Sequence, residues 1–126
     1  EAGRAIEVLE STGDGGDVSA PVAYYLADAL MKSGRLDDAR RRLRSALRRS
    51  PSDAALYKLL ARVEGERDQW AQSFQAMAEY AFLRDELDQA LGHLQAAMTH
   101  SADSAYLKAS IDARIKEIER NRGKTK

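Results

Sequence analysis

The chain has 126 residues, with 20 basic and 20 acidic side chains and a formal net charge of zero. This length suits one domain, and the charge balance gives no global attraction to nucleic acid or an anionic membrane. Because the chain contains no cysteine, disulfides and thiolate metal sites are excluded. No apolar run approaches the roughly 20 residues of a membrane-spanning helix. Two prolines and the absence of β-alternation predict an all-α chain.

The N-terminal part, 1–19, reads as a helix followed by a link. Ala5 and Leu9 lie one full repeat period before Ala39 and Leu43, so 2–11 is predicted to be the second helix of a truncated repeat. The alternative is a lone N-terminal capping helix. The segment 12–19 is rich in glycine and forms the link. We therefore expect this sequence to be a piece of a longer protein.

The stretch 20–53 holds two amphipathic helices joined by a tight turn. Gly34 can adopt the positive φ that ends a helix, and Pro51 cannot continue one. Apolar residues recur at i, i+3, i+4 and i+7, as a helix that buries one face requires. The stripes comprise Ala23, Leu26, Ala27 and Leu30, then Leu36, Ala39, Leu43, Ala46 and Leu47.

The spacing of these stripes matches the tetratricopeptide repeat, a pair of helices that recurs about every 34 residues and stacks on its neighbours. A second repeat spans 54–84, with Asp68 where Gly34 stood. The turn chemistry then returns at Asp85, only half a period later, so 85–120 is predicted to be a half-register repeat with a terminal capping helix. The end of the chain, 121–126, is predicted to be a frayed tail. The sequence therefore predicts a single all-α domain, a right-handed superhelix of about seven antiparallel helices.

The segments 75–91 and 111–118 carry a more specific resemblance. They resemble the C-terminal tetratricopeptide domain of BepA/YfgC-type zinc metalloproteases, bacterial envelope relatives of the CAAX prenyl proteases. The resemblance covers 20–120 and departs from the family pattern at Asp85, where the family often has Gly. It implies a periplasmic or cell-envelope location, although a cytoplasmic one stays open. It also implies zinc in an upstream protease domain, bound by an H-E-x-x-H helix.

This chain itself offers no catalytic set. His93 and His100 could share a helix face, but neither belongs to an H-E-x-x-H motif. Exposed histidines are the ordinary interpretation, and a zinc site would need a third ligand such as Asp103. We expect this chain to be non-catalytic and to bind no metal or other cofactor.

First helices usually line the concave groove of such a superhelix, so the candidate partner-binding residues lie on them. Their apolar members should contact a protein segment, while Lys58 and Arg62 form a basic i, i+4 pair for an acidic group. The candidates are Tyr24, Asp28, Met31, Lys32, Lys58, Arg62 and Glu66. Arg40, Arg44 and Arg48 share one face of a second helix and are interpreted as a solvated face rather than a nucleic-acid site.

Two functions remain open from the sequence. The first is the substrate- or partner-recruiting module of a periplasmic zinc metalloprotease in outer-membrane protein quality control. Its partners would be protein or peptide segments, including outer-membrane proteins or their assembly machinery. The second is a free-standing scaffold or co-chaperone without a catalytic domain. Neither hypothesis involves nucleic acid or membrane insertion.

Overall fold

A computed structural model describes residues 19–124, and within this range it contains six helices and no strand. Consecutive helices run antiparallel, as the sequence predicts. The helix predicted over 2–11 lies outside the described residues. The helices are α1 (Ala20–Lys32), α2 (Leu36–Arg49), α3 (Ala54–Glu66), α4 (Trp70–Leu83), α5 (Leu87–Thr99) and α6 (Ala105–Lys124).

The turns at Gly34, Asp68 and Asp85 share one geometry, with φ of 82°, 59° and 61°. In each turn, the residue after the positive-φ position donates its N–H to a carbonyl near the end of the preceding helix, at 2.8–2.9 Å. This is the αL ending of a helix, which glycine adopts freely and aspartate tolerates. The predicted turns are confirmed, and α4 is both preceded and followed by a turn of this kind.

A second kind of turn precedes α3 and α6. The Asp53 carboxylate accepts the Leu56 N–H at 3.3 Å, and the Ser104 hydroxyl accepts the Leu107 N–H at 3.1 Å. Both are N-caps, which satisfy a free N–H at the start of a helix. No such turn separates Asp68 from Asp85. Helix α4 therefore lies between two αL turns, an arrangement that the predicted half-register repeat requires.

The buried side chains form two clusters that meet at α4. The first joins α1, α2 and α3 with Ala76, and the second joins Ala78 and Ala81 with α5 and α6. Because these α4 residues are small, neighbouring helices approach α4 on both sides. Leu26 and Leu43 are buried as their stripes predict. One repeat period later, Leu60 and Ala61 are also buried, whereas Met77, the counterpart of Leu43, is only half-buried.

The two repeats also differ in how the next helix packs. Helix α3 contacts both α1 and α2, whereas α5 contacts α4 but not α3. Helix α6 then contacts both α4 and α5. The flank of the α3–α4 pair where Trp70 lies is therefore lined by these two helices alone.

Helix α6 continues to Lys124, so the prediction of a frayed tail over 121–126 is wrong for positions 121–124. Arg122 Nη1 pairs with Asp88 Oδ1 of α5 at 2.7 Å, and Asn121 is half-buried. The ion pair with α5 therefore lies beyond Ile118, the last buried apolar residue of α6, and stabilises the end of this helix.

Candidate functional site

An open groove lies between α3 and α4. Its floor is apolar and its volume is about 430 Å³. We call it the Trp70 groove, and it is formed by Lys58, Ala61, Arg62, Gly65, Glu66, Trp70, Ser73 and Met77. Three of the predicted binding residues, Lys58, Arg62 and Glu66, are therefore brought together here. Trp70 and Met77 were not predicted as binding residues, although Trp70 is the only tryptophan of the chain.

Trp70 is 48% exposed and leans over Gly65, where an added Cβ would lie 3.3 Å from the indole ring. The equivalent positions one repeat earlier hold Met31, which is buried, and Leu36, which is half-buried. In the second repeat, glycine replaces the methionine, and the indole occupies the vacated space. The groove therefore exposes the indole ring of Trp70, which packs against the backbone of Gly65.

The rim of the groove is mainly basic. Lys58 Nζ lies 5.4 Å from the centroid of the Tyr80 ring, and Arg84 lies over the same ring at 5.3 Å. These distances suit cation–π contacts, and the contact with Tyr80 orients Lys58, which lines the groove. Ser73 Oγ donates to the Ala61 carbonyl at 2.7 Å and ties the two walls together. An acidic group on a bound segment would meet Lys58 and Arg62 at this rim.

The predicted binding residues of α1 are arranged differently. Met31 is 4% exposed within the first cluster, so its prediction as an apolar contact for a partner is wrong. Met31 is the counterpart of Gly65 one repeat earlier. Its side chain is buried in the first cluster, whereas glycine has no side chain at the equivalent position of α3. Asp28 pairs with Lys32 at 2.8 Å, and half-buried Tyr24 packs against the core.

A second concavity, of about 440 Å³, lies on the opposite flank of the α3–α4 contact. We call it the α4–α6 cleft, and it is lined by Arg44, Tyr57, Leu60, Gln72, Gln75, Ala76, Glu79, Leu94, Ser110, Ala113, Arg114 and Glu117. Arg114 donates from Nε and Nη2, on one edge of its guanidinium, to the two carboxylate oxygens of Glu79 at 2.8 Å each, and the same group lies 4.6 Å from the centroid of the Phe82 ring. Burial lowers the pKa of Arg114, but the hydrogen bonds to Glu79 and Glu117 and the negative charges of both carboxylates together outweigh it and raise the pKa.

Tyr57 reaches this cleft from α3. Burial, followed by the negative charge of Glu79, raises the pKa of the Tyr57 phenol. The phenol therefore stays protonated throughout the physiological range and can both donate and accept a hydrogen bond. Sequence patterning could not identify this cleft because its walls come from several helices.

The arginine face of α2 is more than a solvated surface. Arg40 and Arg44 each donate to Glu64 Oε2 at 3.2 Å, and Arg67 donates to Glu64 Oε1 at 2.6 Å. Glu64 is fully buried. Burial lowers the pKa of Arg67, but its hydrogen bonds to Glu64 and Asp37, together with the negative charges of these two carboxylates, outweigh it and raise the pKa. The prediction of a merely solvated face is therefore wrong for Arg40 and Arg44, which join α2 to α3.

Hydrogen bonds from Arg35 and then Arg41 hold the pKa of Asp38 below its usual value, at the exposed start of α2.

Farther along the chain, His93 and His100 both stack on Phe74, with ring centroids 6.3 and 5.5 Å away. Within the described range 19–124, no group of three or more histidine or acidic side chains is placed to hold a metal ion. The helices of this range are also too short or too polar to cross a membrane.

The paired antiparallel helices, the regular spacing of their turns and the shared αL geometry define a helical-repeat domain. The family model described as Tetratricopeptide repeat matches residues 1–63, half of the chain. The chain belongs to the tetratricopeptide-repeat family. A search of curated proteins found no match. Tetratricopeptide repeats generally mediate binding to proteins or peptides and are typically non-catalytic.

Proposed function

We propose that this chain is a protein-binding module whose principal contact surface is the Trp70 groove. Its occupant is an amphipathic segment of a partner protein, with an apolar side chain against Trp70 and Met77 and an acidic one near Lys58 and Arg62. The observation that carries this proposal is a half-exposed tryptophan over glycine in an apolar groove with a basic rim. Tryptophan and arginine are among the residues that most often dominate binding energy at protein interfaces.

The aromatic anchor should carry more binding energy than the charges. We expect Trp70→Ala to reduce partner binding at least tenfold at any salt concentration, because the apolar contact is not screened. The matched control is Tyr106→Ala, since Tyr106 is an 82% exposed aromatic residue on α6. The measurement is quantitative capture from a bacterial envelope extract on the immobilised chain, followed by titration of each captured partner after purification. Equal binding by the Trp70 variant would contradict the groove assignment.

The rim charges can be tested separately. We expect Lys58→Glu with Arg62→Glu to weaken binding mainly at low salt, because exposed ion pairs are screened within about 8–10 Å at physiological ionic strength. Lys108→Glu with Lys116→Glu provides the same charge change on the exposed face of α6. If both double variants weaken binding equally, only net charge matters and the groove rim has no specific role.

We further propose that the module recruits substrates or assembly partners for a zinc metalloprotease of the bacterial periplasm. The support is the resemblance of 75–91 and 111–118 to the tail of that protease family. Outer-membrane proteins and their assembly machinery are the corresponding partners. Zinc would belong to an upstream protease domain and not to this chain.

The coding sequence that precedes Glu1 provides the decisive observation. An H-E-x-x-H motif and a secretion signal in the same reading frame would support the protease proposal and the periplasmic location. A start codon immediately upstream would instead support a free-standing scaffold or co-chaperone. Protein binding at the Trp70 groove is expected in either case, so the two proposals can fail independently.

A further inference from the structure

The α4–α6 cleft differs from the Trp70 groove in the chemistry of its walls. Its charged side chains already satisfy one another, since Arg114 donates to Glu79 on one side and to Glu117 on the other. Glu79 and Arg114 are each about one-quarter exposed. A charged ligand would have to break this arrangement, so the cleft favours an uncharged occupant.

The neutral polar groups of the cleft lack protein partners within the described range. Tyr57, Gln72, Gln75 and Ser110 line the cleft with no hydrogen bond from their side chains to another described residue. An occupant that carries peptide N–H and C=O groups can hydrogen-bond to these neutral side chains.

We propose that the α4–α6 cleft binds an extended, uncharged peptide segment through its main chain. A glutamine amide both donates and accepts, so it matches the N–H and C=O of one peptide unit. The Tyr57 hydroxyl does the same from the α3 wall. The segment is a second contact with a partner protein and does not depend on the Trp70 groove.

The spacing along α4 suits this occupant. Gln72, Gln75 and Glu79 follow one another along the cleft wall, and a rise of about 1.5 Å per residue spreads them over about 10 Å. An extended chain advances about 3.3 Å per residue, so about three residues of peptide lie beside them. The cleft volume of about 440 Å³ accommodates a segment of that size with small side chains.

The test uses the full chain and an acetylated, amidated hexapeptide library built from Ala, Ser, Thr, Val and Asn. Binding is followed by two-dimensional ¹H–¹⁵N NMR. We expect the side-chain amide signals of Gln72 and Gln75 to shift on titration, while the Trp70 indole signal stays in place. Because the ligand is uncharged, affinity should be unchanged between about 0.1 and about 0.5 M salt.

Two matched comparisons decide the outcome. Gln72→Ala with Gln75→Ala should lower affinity at least tenfold, whereas Gln89→Ala with Gln95→Ala, exposed on α5, should leave it unchanged. An N-methylated library with the same side chains should fail to bind, because its main-chain N–H donors are gone. The proposal is overturned if the N-methylated library binds equally, if both glutamine pairs have the same effect, or if no library binds at millimolar concentration.

Discussion

Glu64 is the residue on which three arginines converge, from α2 and from the end of α3. Its carboxylate is fully buried, and the arginines that contact it are Arg40, Arg44 and Arg67. Burying a carboxylate is unfavourable unless hydrogen bonds compensate for lost hydration. Here three guanidinium groups supply that compensation, and their outer edges remain in solvent. The cluster therefore fixes how α3 sits on α2.

Removing the Glu64 charge should destabilise the chain. We expect Glu64→Gln to lower the free energy of unfolding by about 2 kcal/mol, less than is usual for broken buried pairs because the arginines are partly exposed. Glu66→Gln, on the exposed face of the same helix, should change it by less than about 0.5 kcal/mol. Urea unfolding followed by circular dichroism measures both. Equal values for the two variants would show that the cluster contributes nothing.

Ala102 is a residue in an unfavourable backbone conformation. It has a φ of 50° in the turn before α6, a region that L-residues with a Cβ seldom occupy. Its side chain is exposed, so no packing contact opposes replacement by glycine.

We expect Ala102→Gly to stabilise the chain by about 0.5–1 kcal/mol, because glycine removes the steric cost of a positive φ. Ala109→Gly is the matched control, since Ala109 is exposed inside α6, where glycine should destabilise by about the same amount. Thermal unfolding of the two variants should shift in opposite directions. A shift of the same sign would contradict the turn geometry.

At the scale of a single element, α4 determines the architecture. It carries four buried alanines and packs against α3 on one side and α5 on the other. Small residues on more than one face allow two neighbours to approach closely. This property lets α4 pack between α3 and α5, as the predicted half-register repeat requires.

Enlarging a buried alanine of α4 should disturb that packing. We expect Ala78→Val to cost about 1–3 kcal/mol, because Ala78 is fully buried in the second cluster and added methyl groups overpack the site. Ala113→Val, on the exposed face of α6, should cost only about 0.7 kcal/mol through helix propensity. Urea denaturation of both variants provides the comparison. A cost below this range for Ala78→Val would show that the packing between α4 and α5 has room for the added methyl groups.

At the scale of the whole molecule, two apolar clusters meet at one helix. The first is centred on α1–α3, and the second on α5 and α6. In repeat proteins, each unit contacts only its neighbours, so stability is distributed along the stack. We therefore expect the two clusters to open separately.

Ile118 tests this distribution, since it is fully buried in the second cluster. We expect Ile118→Ala to cost roughly 2–5 kcal/mol in the second cluster by leaving a cavity. Native-state hydrogen exchange should then show faster exchange of α5 and α6 amides, with little change in α1 and α2. Uniform acceleration over all helices would instead show that the two clusters unfold as one unit.

Much of the fold could be predicted from sequence because its signals are local. The turns at Gly34, Asp68 and Asp85 depend on residues that tolerate positive φ, and the buried positions follow helical periodicity. Helix α4 (Trp70–Leu83) lies between the predicted turns at Asp68 and Asp85 for the same reason.

The binding surfaces depend on tertiary packing instead. Trp70 and Leu36 occupy equivalent positions, yet only the former is exposed, because the surroundings differ between the two repeats. Glu64 is buried because arginines from two segments reach it, which no repeat period encodes. The amino-acid sequence by itself determined the turns between α1 and α5 and the apolar sides of these helices, but not the C-terminal end of α6. Only the tertiary structure decided which flanks stay open, because that depends on the helix that packs next.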